Sequence, residues 1–422
     1  MAIGAYSWVL RAAVPVGLLA LGWRLLTRPE YRPALGERFG RVAPSPQGKQ
    51  VIWLHAVSVG ETISAVPLAR ALRETYPEAH IVLSCGTPTG RATAREKLEG
   101  VVDRVIYLAY DLPGLVNPAV GAIRPDILLL VETEIWPNLL AAMGRRKVPV
   151  LLVNGRISRR SFPRYLRFKK LMRTALAPVS ALLMQTGRDA RYIRRLGAPS
   201  DRVAVLGNIK YDQPAPPLDP EQMAADLAAL GIDPGRPVLV AGSTHEGEEE
   251  GLARAWRALR TRFPDLALVI AIRHPNRAEG AARRLTELGF SVGRKSLGDT
   301  AGREVAMLDT VGELARHYHL ATVAFVGGSL VPVGGHNPLE PAAAGKPVVY
   351  GPHVSNFEGP CAALEEAGGA IRVADEGELA EVLERLFADA DLRHHMGTVG
   401  QETFLSNKGA VQRTMARVRE FL

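Results

Sequence analysis

The chain has 422 residues, of which 47% are hydrophobic and 23% charged. This composition excludes an intrinsically disordered chain, a collagen-like repeat and a polytopic membrane protein, and at about 150 residues per domain the length indicates two or three domains. The formal charge of +9 is concentrated in residues 1–210, which carry +17 while the remainder carries −8, and such an excess indicates nucleic acid, an anionic membrane face or a phosphorylated substrate as partner.

The N-terminal segment is apolar. Arg11 is the only charged residue before Arg24, and the stretch to Leu26 is long enough to span a membrane if Arg11 snorkels, although a buried N-terminal helix is the alternative. No A-x-A-like cleavage site follows, so we do not expect a removed signal peptide. Five arginines come directly after the apolar run and predict, by the positive-inside rule, that the following domain is cytoplasmic: Arg24, Arg28, Arg32, Arg38 and Arg41.

The rest of the chain alternates short apolar runs with longer helical patterns, which is typical of βαβ units around parallel sheets. The first series of predicted strands is Val51–Ala56, Ile81–Ser84, Val105–Leu108, Ile127–Val131, Val148–Val153, Ala181–Met184 and Val203–Leu206. The second series is Val238–Ala241, Leu266–Ile272, Val305–Leu308, Thr322–Val326 and Pro347–Tyr350.

A proline-rich segment, residues 213–220, separates the two series and is predicted to be a linker. The expected organisation is a membrane anchor (1–27), a first Rossmann-like domain (28–212), the linker (213–220) and a second Rossmann-like domain with a C-terminal helix (221–422). Two doubly wound α/β domains facing each other across a cleft follow from this pattern. Ligands of such sheets bind beyond the carboxyl ends of the strands, so we expect the functional residues there.

Three charged residues follow strands of the first half. Glu61 opens a helix after a Gly turn and is either a partner of the helix dipole or a general base. Glu132 and Glu134 follow the strand Ile127–Val131; we expect them on opposite faces and favour Glu132, which directly follows the strand, as the one in the cleft. Lys210 lies between the last strand and the linker, either on the surface or as a positive charge facing a phosphate or carboxylate.

The second half carries features that suit an anion. Ser243 and Thr244 follow a strand and are expected to form a helix N-terminus that binds phosphate. Arg273 and His274 form a cationic pair after the next strand, and Gly312 with Glu313 forms a further turn. The segment HEGEEE that follows Thr244 does not have the spacing of a zinc motif, so we expect no metal site there.

The segment FVGGSLVPVGGHNPLEP combines two Gly pairs with Asn337 and Pro338 as cap and first-turn residues. Glu340 lies in the first turn of the following helix, where a carboxylate can accept from ribose hydroxyls. The segment is neither a G-x-G-x-x-G fingerprint nor a Walker A loop, which excludes a Rossmann dinucleotide site of that type and a P-loop NTPase.

A basic segment, residues 156–173, holds eight Lys and Arg residues and no acid, interleaved with aromatic and aliphatic residues. The pattern favours a face that binds a membrane or phosphate over a solvated helix that merely covers the sheet.

Together these segments resemble the 3-deoxy-D-manno-octulosonic acid (Kdo) transferases, inverting glycosyltransferases of the GT-B fold that act in lipopolysaccharide synthesis. The resemblance runs through GERFG, HAVSVGE, TPTG, YDLP, ETEIWPN, STHEGEE, RHP, DTVGEL, FVGGSL, GGHNPLEP and GPH, in that order. It implies transfer of Kdo from CMP-Kdo to the lipid A precursor (lipid IVA) at the cytoplasmic face of the inner membrane, without a metal or other cofactor. Anionic inner-membrane lipids are expected partners, and nucleic acid is not.

The resemblance also implies roles for individual residues. Glu61 is expected to be the catalytic base, with Glu132 and Lys210 supporting the transition state. The set expected to bind the CMP-Kdo donor is Ser243, Ile272, Arg273, His274, Val311, Gly312, Glu313, Asn337, Pro338, Leu339 and Glu340.

Two other classes of protein fit part of the pattern. A UDP-sugar epimerase or transferase would share the fold, but an epimerase of soluble sugars would have no use for an anchor or a +17 half. A nucleic-acid-binding protein would explain the charge but not the glycine-rich loops, and the basic segment matches no recognised nucleic-acid motif.

Overall fold

The computed structural model describes residues 2–212 and 217–422. The chain divides into two compact units: unit 1 is Met1–Gln213 with Lys408–Leu422, and unit 2 is Pro214–Asn407. Residues 213–216 of the expected linker lie outside the described residues, and its last residue, Pro220, begins a helix that is capped by Asp219.

Unit 1 is built from alternating helices and strands. Its elements in chain order are α1 (Ala2–Thr27), α2 (Leu35–Arg38), β1 (Val51–His55), α3 (Val59–Thr75), β2 (His80–Cys85), α4 (Pro88–Lys97), β3 (Arg104–Tyr107), α5 (Pro113–Ile123), β4 (Ile127–Val131), α6 (Pro137–Arg146), β5 (Val150–Gly155), α7 (Phe162–Arg167), α8 (Lys169–Leu176), β6 (Ala181–Met184), α9 (Gly187–Arg195) and β7 (Val203–Val205).

The sheet of unit 1 is parallel and has the order β3-β2-β1-β4-β5-β6-β7. Its central strands are mostly apolar because helices cover both faces. In β1, Trp53 packs into the core on one face while Ile52 and Leu54 pack into the core on the other. The strand order reverses between β1 and β4, where Ile52 pairs with Ile127, and this switch point is where a doubly wound sheet leaves a crevice for ligands.

Unit 2 repeats the design. Its elements are α10 (Pro220–Ala229), β8 (Val238–Thr244), α11 (Glu249–Leu259), β9 (Ala267–Ile272), α12 (Ala278–Glu287), β10 (Val292–Arg294), β11 (Val305–Leu308), α13 (Leu314–His317), β12 (Val323–Val326), α14 (Leu339–Ala343), β13 (Val348–Tyr350), α15 (Glu358–Ala367), β14 (Ala370–Arg372), α16 (Glu376–Ala388) and α17 (Ala390–Ser406). The parallel sheet has the order β10-β11-β9-β8-β12-β13-β14, so its switch point lies between β8 and β12.

The last helix, α18 (Ala410–Arg419), belongs to unit 1 rather than to the second domain in which residues 221–422 were expected. The carboxylate of Asp212 accepts hydrogen bonds from the backbone N–H groups of Gly409 and Val411, each at 2.6 Å. Val411, Met415 and Val418 are buried in the core beneath α3. The apolar face of α18 therefore fixes its unit, which the position of the helix in the sequence does not reveal.

The helix α1 is long and apolar enough to cross a membrane by length and composition, and Ser7 is its one buried residue among residues 2–27. Near its N-terminus it is tied to unit 1: the Tyr6 hydroxyl donates to Asp111 Oδ2 at 3.1 Å, and the Ser7 hydroxyl donates to Asn138 Oδ1 at 2.7 Å. It lies against α6 and α8. The helix predicted for the N-terminus is present, and one side of it faces the body of unit 1.

The basic segment folds into α7 and α8. Phe162 is buried and stacks on Tyr192 with 4.1 Å between ring centroids, so part of its apolar pattern covers the sheet. The Lys and Arg side chains of α7 and α8 are exposed to solvent, and Phe168, which lies between them in the sequence, is 60% exposed. Exposed basic side chains of the two helices are Arg164, Arg167, Lys169, Lys170 and Arg173.

Candidate functional site

Glu61 is held by a capping box at the start of α3. Ser58 is the N-cap, and its hydroxyl accepts from the Glu61 N–H at 3.4 Å and donates to the Glu61 carboxylate at 3.0 Å. The backbone N–H of Val57 donates to the same carboxylate at 2.6 Å. Glu61 is therefore a capping residue whose carboxylate has a fixed position beyond the carboxyl end of β1.

Glu132 and Glu134 line the same pocket as Glu61, so the expectation that they point to opposite faces is wrong. The pocket has a volume of about 160 Å³. Residues i and i+2 of an extended segment point to the same face, so the expectation misapplied the alternation of side chains along a strand. Glu132 itself has a φ of 63°, a left-handed conformation that L-residues seldom adopt. The other walls of the pocket come from Thr133, Arg156, Ser158, Ser161 and Tyr165.

The three carboxylates influence each other. Burial, followed by the negative charge of Glu134, raises the pKa of Glu61 to about 7, although the hydrogen bond from Val57 opposes the shift. Because a general base works best with a pKa near the ambient pH, Glu61 has a suitable proton affinity as well as a fixed position.

Two cations lie against Glu132. Lys210 Nζ is 3.7 Å from Glu132 Oε1, and Arg156 Nε is 3.8 Å from Oε2. Lys210 lies in a short 3-10 turn, Ile209–Asp212, and is buried, which lowers the pKa of its ammonium, while the charge of Glu132 opposes that change. The structure thus brings together the three residues predicted as catalytic, Glu61, Glu132 and Lys210.

Two further residues of this site were missed. Arg156 follows the end of β5, so applying the strand-end argument to that strand would have found it. His55, the last residue of β1, is fully buried, and its Nε2 lies 3.8 Å from Glu134 Oε2 while its Nδ1 is bonded to Ser84. Its position in HAVSVGE, six residues before Glu61, was the available signal.

The predicted donor residues of unit 2 follow the carboxyl ends of β8, β9, β11 and β12, which are adjacent in the sheet. Ser243 belongs to β8; Ile272 ends β9 and precedes Arg273 and His274; Val311, Gly312 and Glu313 follow β11; and Asn337, Pro338, Leu339 and Glu340 follow β12. The structure therefore places the whole set at one edge of one sheet.

The predicted role of Ser243 and Thr244 as a helix N-terminus is wrong, because both belong to β8 and α11 starts at Glu249. The buried carboxylate of Glu248 fills the turn between β8 and α11. It accepts from the N–H groups of His245, Gly328, Ser329 and Leu330 at 2.7–3.0 Å. By accepting hydrogen bonds from four backbone amides, the Glu248 carboxylate links the loops that follow β8 and β12 at the switch point.

Three histidines cluster at this switch point, two of them missed as site residues. His245 Nε2 lies 2.8 Å from His336 Nε2 with the rings stacked, and the rings of His245 and His274 are 5.6 Å apart. Burial lowers the pKa of His245 to about 4 and that of His336 to about 3, and the charge of Arg273 adds to both shifts. At neutral pH the cluster therefore presents neutral imidazoles beside a guanidinium.

The turn after β11 has an exposed backbone and ends in a carboxylate that is paired with two cations. Val311 is 73% exposed and Gly312 has a φ of 86°, so the backbone of this turn is accessible to a ligand. The Glu313 carboxylate accepts from Lys295 at 2.9 Å and from Arg316 at 2.7 Å. These partners hold the pKa of Glu313 at about 2 despite the opposing effect of burial.

Asn337 orients Glu340 at the start of α14. Its Oδ1 accepts from the Leu339 N–H, and its Nδ2 donates to Glu340 Oε1, both at 3.1 Å. Burial raises the pKa of Glu340, while the Asn337 hydrogen bond and the charge of Arg273 oppose the rise. Among residues 2–212 and 217–422, no group of three or more His, Cys, Asp or Glu side chains is arranged to hold a metal ion.

Comparisons of the amino-acid sequence with known protein families and relatives indicate one family. The family model described as 3-Deoxy-D-manno-octulosonic-acid transferase (kdotransferase) matches residues 33–213. The 3-deoxy-D-manno-octulosonic acid transferase of Haemophilus influenzae is 34% identical over 99% of this chain and 98% of its own length. The protein of the same name from Bordetella pertussis is 34% identical over the full length of both chains.

Solved structures match the fold at low sequence identity. A glycosyltransferase from Rickettsia africae has a TM-score of 0.58 at 13% identity, covering 89% of this chain and 99% of its own. The UDP-GlcNAc 2-epimerase of Neisseria meningitidis, bound to UDP-GlcNAc, has a TM-score of 0.57 at 15% identity, covering 88% and 100%. The predicted α/β fold of the GT-B type is confirmed, and this fold by itself does not separate a transferase from an epimerase.

Proposed function

The chain belongs to the 3-deoxy-D-manno-octulosonic acid (Kdo) transferase family, and from this premise we propose that it transfers Kdo from CMP-Kdo to the lipid A precursor lipid IVA. The members of this family are glycosyltransferases, so the chain is an enzyme of that class. The donor, the acceptor and the residue roles given below are our proposal.

The observation that carries the proposal is the placement of Glu61 in the pocket of three acids. An acceptor hydroxyl must lose a proton as its oxygen attacks the anomeric carbon of Kdo. Glu61, with a pKa of about 7 and a carboxylate held by Val57 and Ser58, is the base that takes this proton. The new C–O bond forms as the bond between the anomeric carbon and the CMP phosphate breaks, with inversion at carbon.

Glu132 and Lys210 support the transition state in this proposal. Glu132 stabilises positive charge that develops on the sugar ring, and Lys210 stabilises negative charge on the carboxylate of Kdo or on the departing phosphate. Both side chains are buried, where such charges act more strongly than in water. Arg156 lies on the other side of Glu132, with its Nε 3.8 Å from Oε2.

CMP binds, in our proposal, at the switch point of unit 2. Arg273 supplies the positive charge for the phosphate, the neutral histidines and the exposed turn Val311–Glu313 offer hydrogen bonds, and Glu340 accepts from the ribose hydroxyls. The presence of these groups after four adjacent strands supports this placement. The phosphate needs no additional charge from a metal ion when Arg273 is present, so the reaction is proposed to be metal-independent.

We further propose that the enzyme works at the cytoplasmic face of the inner membrane. The exposed apolar side of α1 supports anchoring, and the exposed cations of α7 and α8 support binding to anionic lipids or to the phosphates of lipid IVA. Nucleic acid is not part of the proposal, because a lipid surface accounts for the same charge.

The test is the mass of the product. Full-length protein in detergent is incubated with CMP-Kdo and lipid IVA, and the lipid is analysed by mass spectrometry. We expect a mass increase of one or more Kdo residues together with release of CMP. Lipid IVA that keeps its mass would refute the proposed reaction, and stabilisation by UDP but not by CMP in a thermal-shift assay would favour a UDP-sugar enzyme.

A further inference from the structure

An apolar groove of about 750 Å³ runs between α1 and the body of unit 1. Leu10, Val14 and Leu21 line it from α1, and Leu112 and Leu115 line it from the start of α5. A volume of this size lies within the range of about 300–1,000 Å³ that holds a small-molecule ligand, and an apolar lining favours an apolar one.

The groove is separate from the exposed side of α1. Trp8, Val16 and Leu19 are 69%, 70% and 77% exposed, and they do not line the groove. One side of the helix thus presents apolar side chains to the surroundings while another side encloses apolar space. If the exposed side lies in the lipid interface, the groove opens next to the region that acyl chains occupy.

The groove comes close to the pocket of three acids at Trp136. Tyr6, Asp111 and Trp136 line this end. The Trp136 ring is 6.3 Å from the ring of His55 in an edge-to-face arrangement, and His55 Nε2 is 3.8 Å from Glu134 in the acid pocket. The groove and the acid pocket are therefore neighbouring sites of unit 1, separated by Trp136 and the buried His55.

The charge at the groove agrees with a lipid that carries anionic groups. Arg11 and Arg24 line it from α1, and the basic helix α8 lies against α1. An acidic lipid head attached to acyl chains would find cations beside apolar walls.

We propose that the groove between α1 and α5 is an acyl-chain subsite for the lipid acceptor. This inference rests on the proposed function, since it assigns one acyl chain of lipid IVA to the groove while the sugar hydroxyl meets Glu61. The helix α1 then has a second task besides anchoring: it forms one wall of the acceptor site.

The proposal is tested by substitutions that place a large side chain in the groove from either of its two walls. Gly17 on α1 and Gly114 on α5 both line it, and a Cβ built on either has no neighbouring atom within 4 Å. Gly17→Phe and Gly114→Phe should each lower the ratio of kcat/KM for lipid IVA to kcat/KM for its deacylated disaccharide bisphosphate at least tenfold. The matched control is Gly4→Phe, which adds the same ring to an exposed position of α1 that does not line the groove and should leave the ratio unchanged.

A binding measurement gives a result that is independent of transfer. Lipid IVA with a photoreactive group at an acyl terminus should label peptides containing residues 10–21 or 112–115 in the parent, and the Gly17→Phe variant should lose this labelling. An unchanged kcat/KM ratio in both groove variants, or labelling elsewhere, overturns the inference. Variants that leave the ratio unchanged but release the protein from phospholipid vesicles would show that bulk lipid fills the groove, which also overturns it.

The outcomes separate the two proposals. Labelling of the groove without Kdo transfer by the parent refutes the proposed reaction and leaves the subsite. Transfer by the parent, with labelling outside the groove, refutes the subsite and leaves the reaction.

Discussion

Glu61 closes the capping box of α3 and also lies with Glu132 and Glu134 in one pocket. The two properties are compatible, because the hydrogen bonds of the cap fix the carboxylate while burial and Glu134 raise its pKa. An acid that only caps a helix would be stabilised in its ionised form by the helix dipole. A pKa of about 7 therefore distinguishes Glu61 from an ordinary capping residue.

Glu61→Gln should lower the transfer rate by about 10²- to 10⁴-fold, because the amide cannot take the proton of the acceptor hydroxyl. The affinity for CMP should stay within twofold of the parent, since the proposed nucleotide residues belong to unit 2. Initial rates with lipid IVA and calorimetry with CMP measure the two effects. Glu74→Gln, an exposed position on the same helix, is the control, and a Glu61→Gln rate above a tenth of the parent rate would exclude Glu61 as the base.

The raised pKa of Glu61 predicts how kcat/KM falls on the acidic side of its pH profile. kcat/KM should rise about tenfold per pH unit below pH 7 and level off above it, because only the ionised carboxylate accepts a proton. His245 and His336 do not interfere, since their pKa values of about 4 and 3 lie below this range. Rates between pH 5 and 9 test this, and a midpoint near 4.5, the ordinary value for Glu, would contradict it.

The same shift has an effect on stability with a definite sign. Between pH 4.5 and about 7 the folded state keeps a proton on Glu61 that the unfolded state has lost, so the free energy of unfolding decreases as the pH rises through this window. In Glu61→Gln this decrease should be absent, which thermal unfolding at pH 5 and pH 8 would reveal alongside the rate measurements.

The ion pair of Lys210 and Glu132 should be costly to break from one side. Lys210→Met leaves a buried carboxylate without the cation at 3.7 Å, and we expect a loss of about 3 kcal/mol in the free energy of unfolding. The double variant Lys210→Met/Glu132→Gln should recover most of this loss and remain inactive. Urea unfolding measures it, and equal instability of the single and double variants would mean that Lys210 contributes through packing alone.

The residues of the acid pocket were predictable to different degrees. Glu61, Glu132 and Lys210 could be found because each follows a strand, and strand ends converge in a parallel sheet. The joint placement of Glu132 and Glu134 in one pocket could also have been found, because side chains two residues apart on an extended segment point to the same face. His336 could not be linked to His245, since they lie 91 residues apart in the chain and meet only across the switch point.

At the scale of elements, all twelve predicted strand segments contain a strand, and β10 and β14 were missed. Both are three-residue strands at the edges of their sheet, Val292–Arg294 and Ala370–Arg372. Each has only one or two apolar residues and ends in Arg, so it leaves a weak pattern in the sequence, whereas the more apolar edge strands β3 and β7 were found. The central strands, buried on both faces, gave long apolar runs that were easy to recognise.

The elements α1, α7 and α8 should bind membranes through separate signals. A chain beginning at Thr27 lacks α1 but keeps the basic helices, and it should still bind anionic vesicles in a salt-dependent way. Each exposed Lys or Arg near the surface contributes about 1 kcal/mol, screened over about 8 Å at physiological salt. Reversing Arg164, Arg167, Lys169 and Lys170 to Glu should then release this chain from the vesicles.

The control for that reversal changes the same charge elsewhere on unit 1. It reverses four other exposed basic residues: Arg70, Arg95, Lys97 and Arg145. We expect this control to sediment with the vesicles nearly as well as the parent chain. Equal binding by the α7–α8 reversal and its parent would mean that the segment is a solvated helical face.

For the whole molecule, the return of α18 to unit 1 makes the C-terminus a structural part of the unit that carries Glu61. A chain ending at Asn407 would expose the surface that Val411, Met415 and Val418 cover, at a cost of about 5 kcal/mol or more to unit 1. Unit 2 should be unaffected and still bind CMP. Calorimetry with and without CMP separates the unfolding transitions of the two units, and a chain ending at Arg419 is the control. A loss of stability confined to the CMP-sensitive transition would contradict the assignment of α18 to unit 1.

The path of the chain also sets the order in which its parts can be completed during synthesis. Unit 2 is inserted between two pieces of unit 1, so its whole sequence leaves the ribosome before Lys408 does. Domains generally fold as units as they emerge, and unit 2 can therefore finish first although unit 1 begins the chain. Until α18 arrives, the nascent protein has an early-synthesised unit with an uncovered apolar surface beneath α3, the helix that holds the candidate base. Unit 2 is thus the first that can mature, and the unit that holds the acid pocket of Glu61 acquires its final support only after α18 has been synthesised.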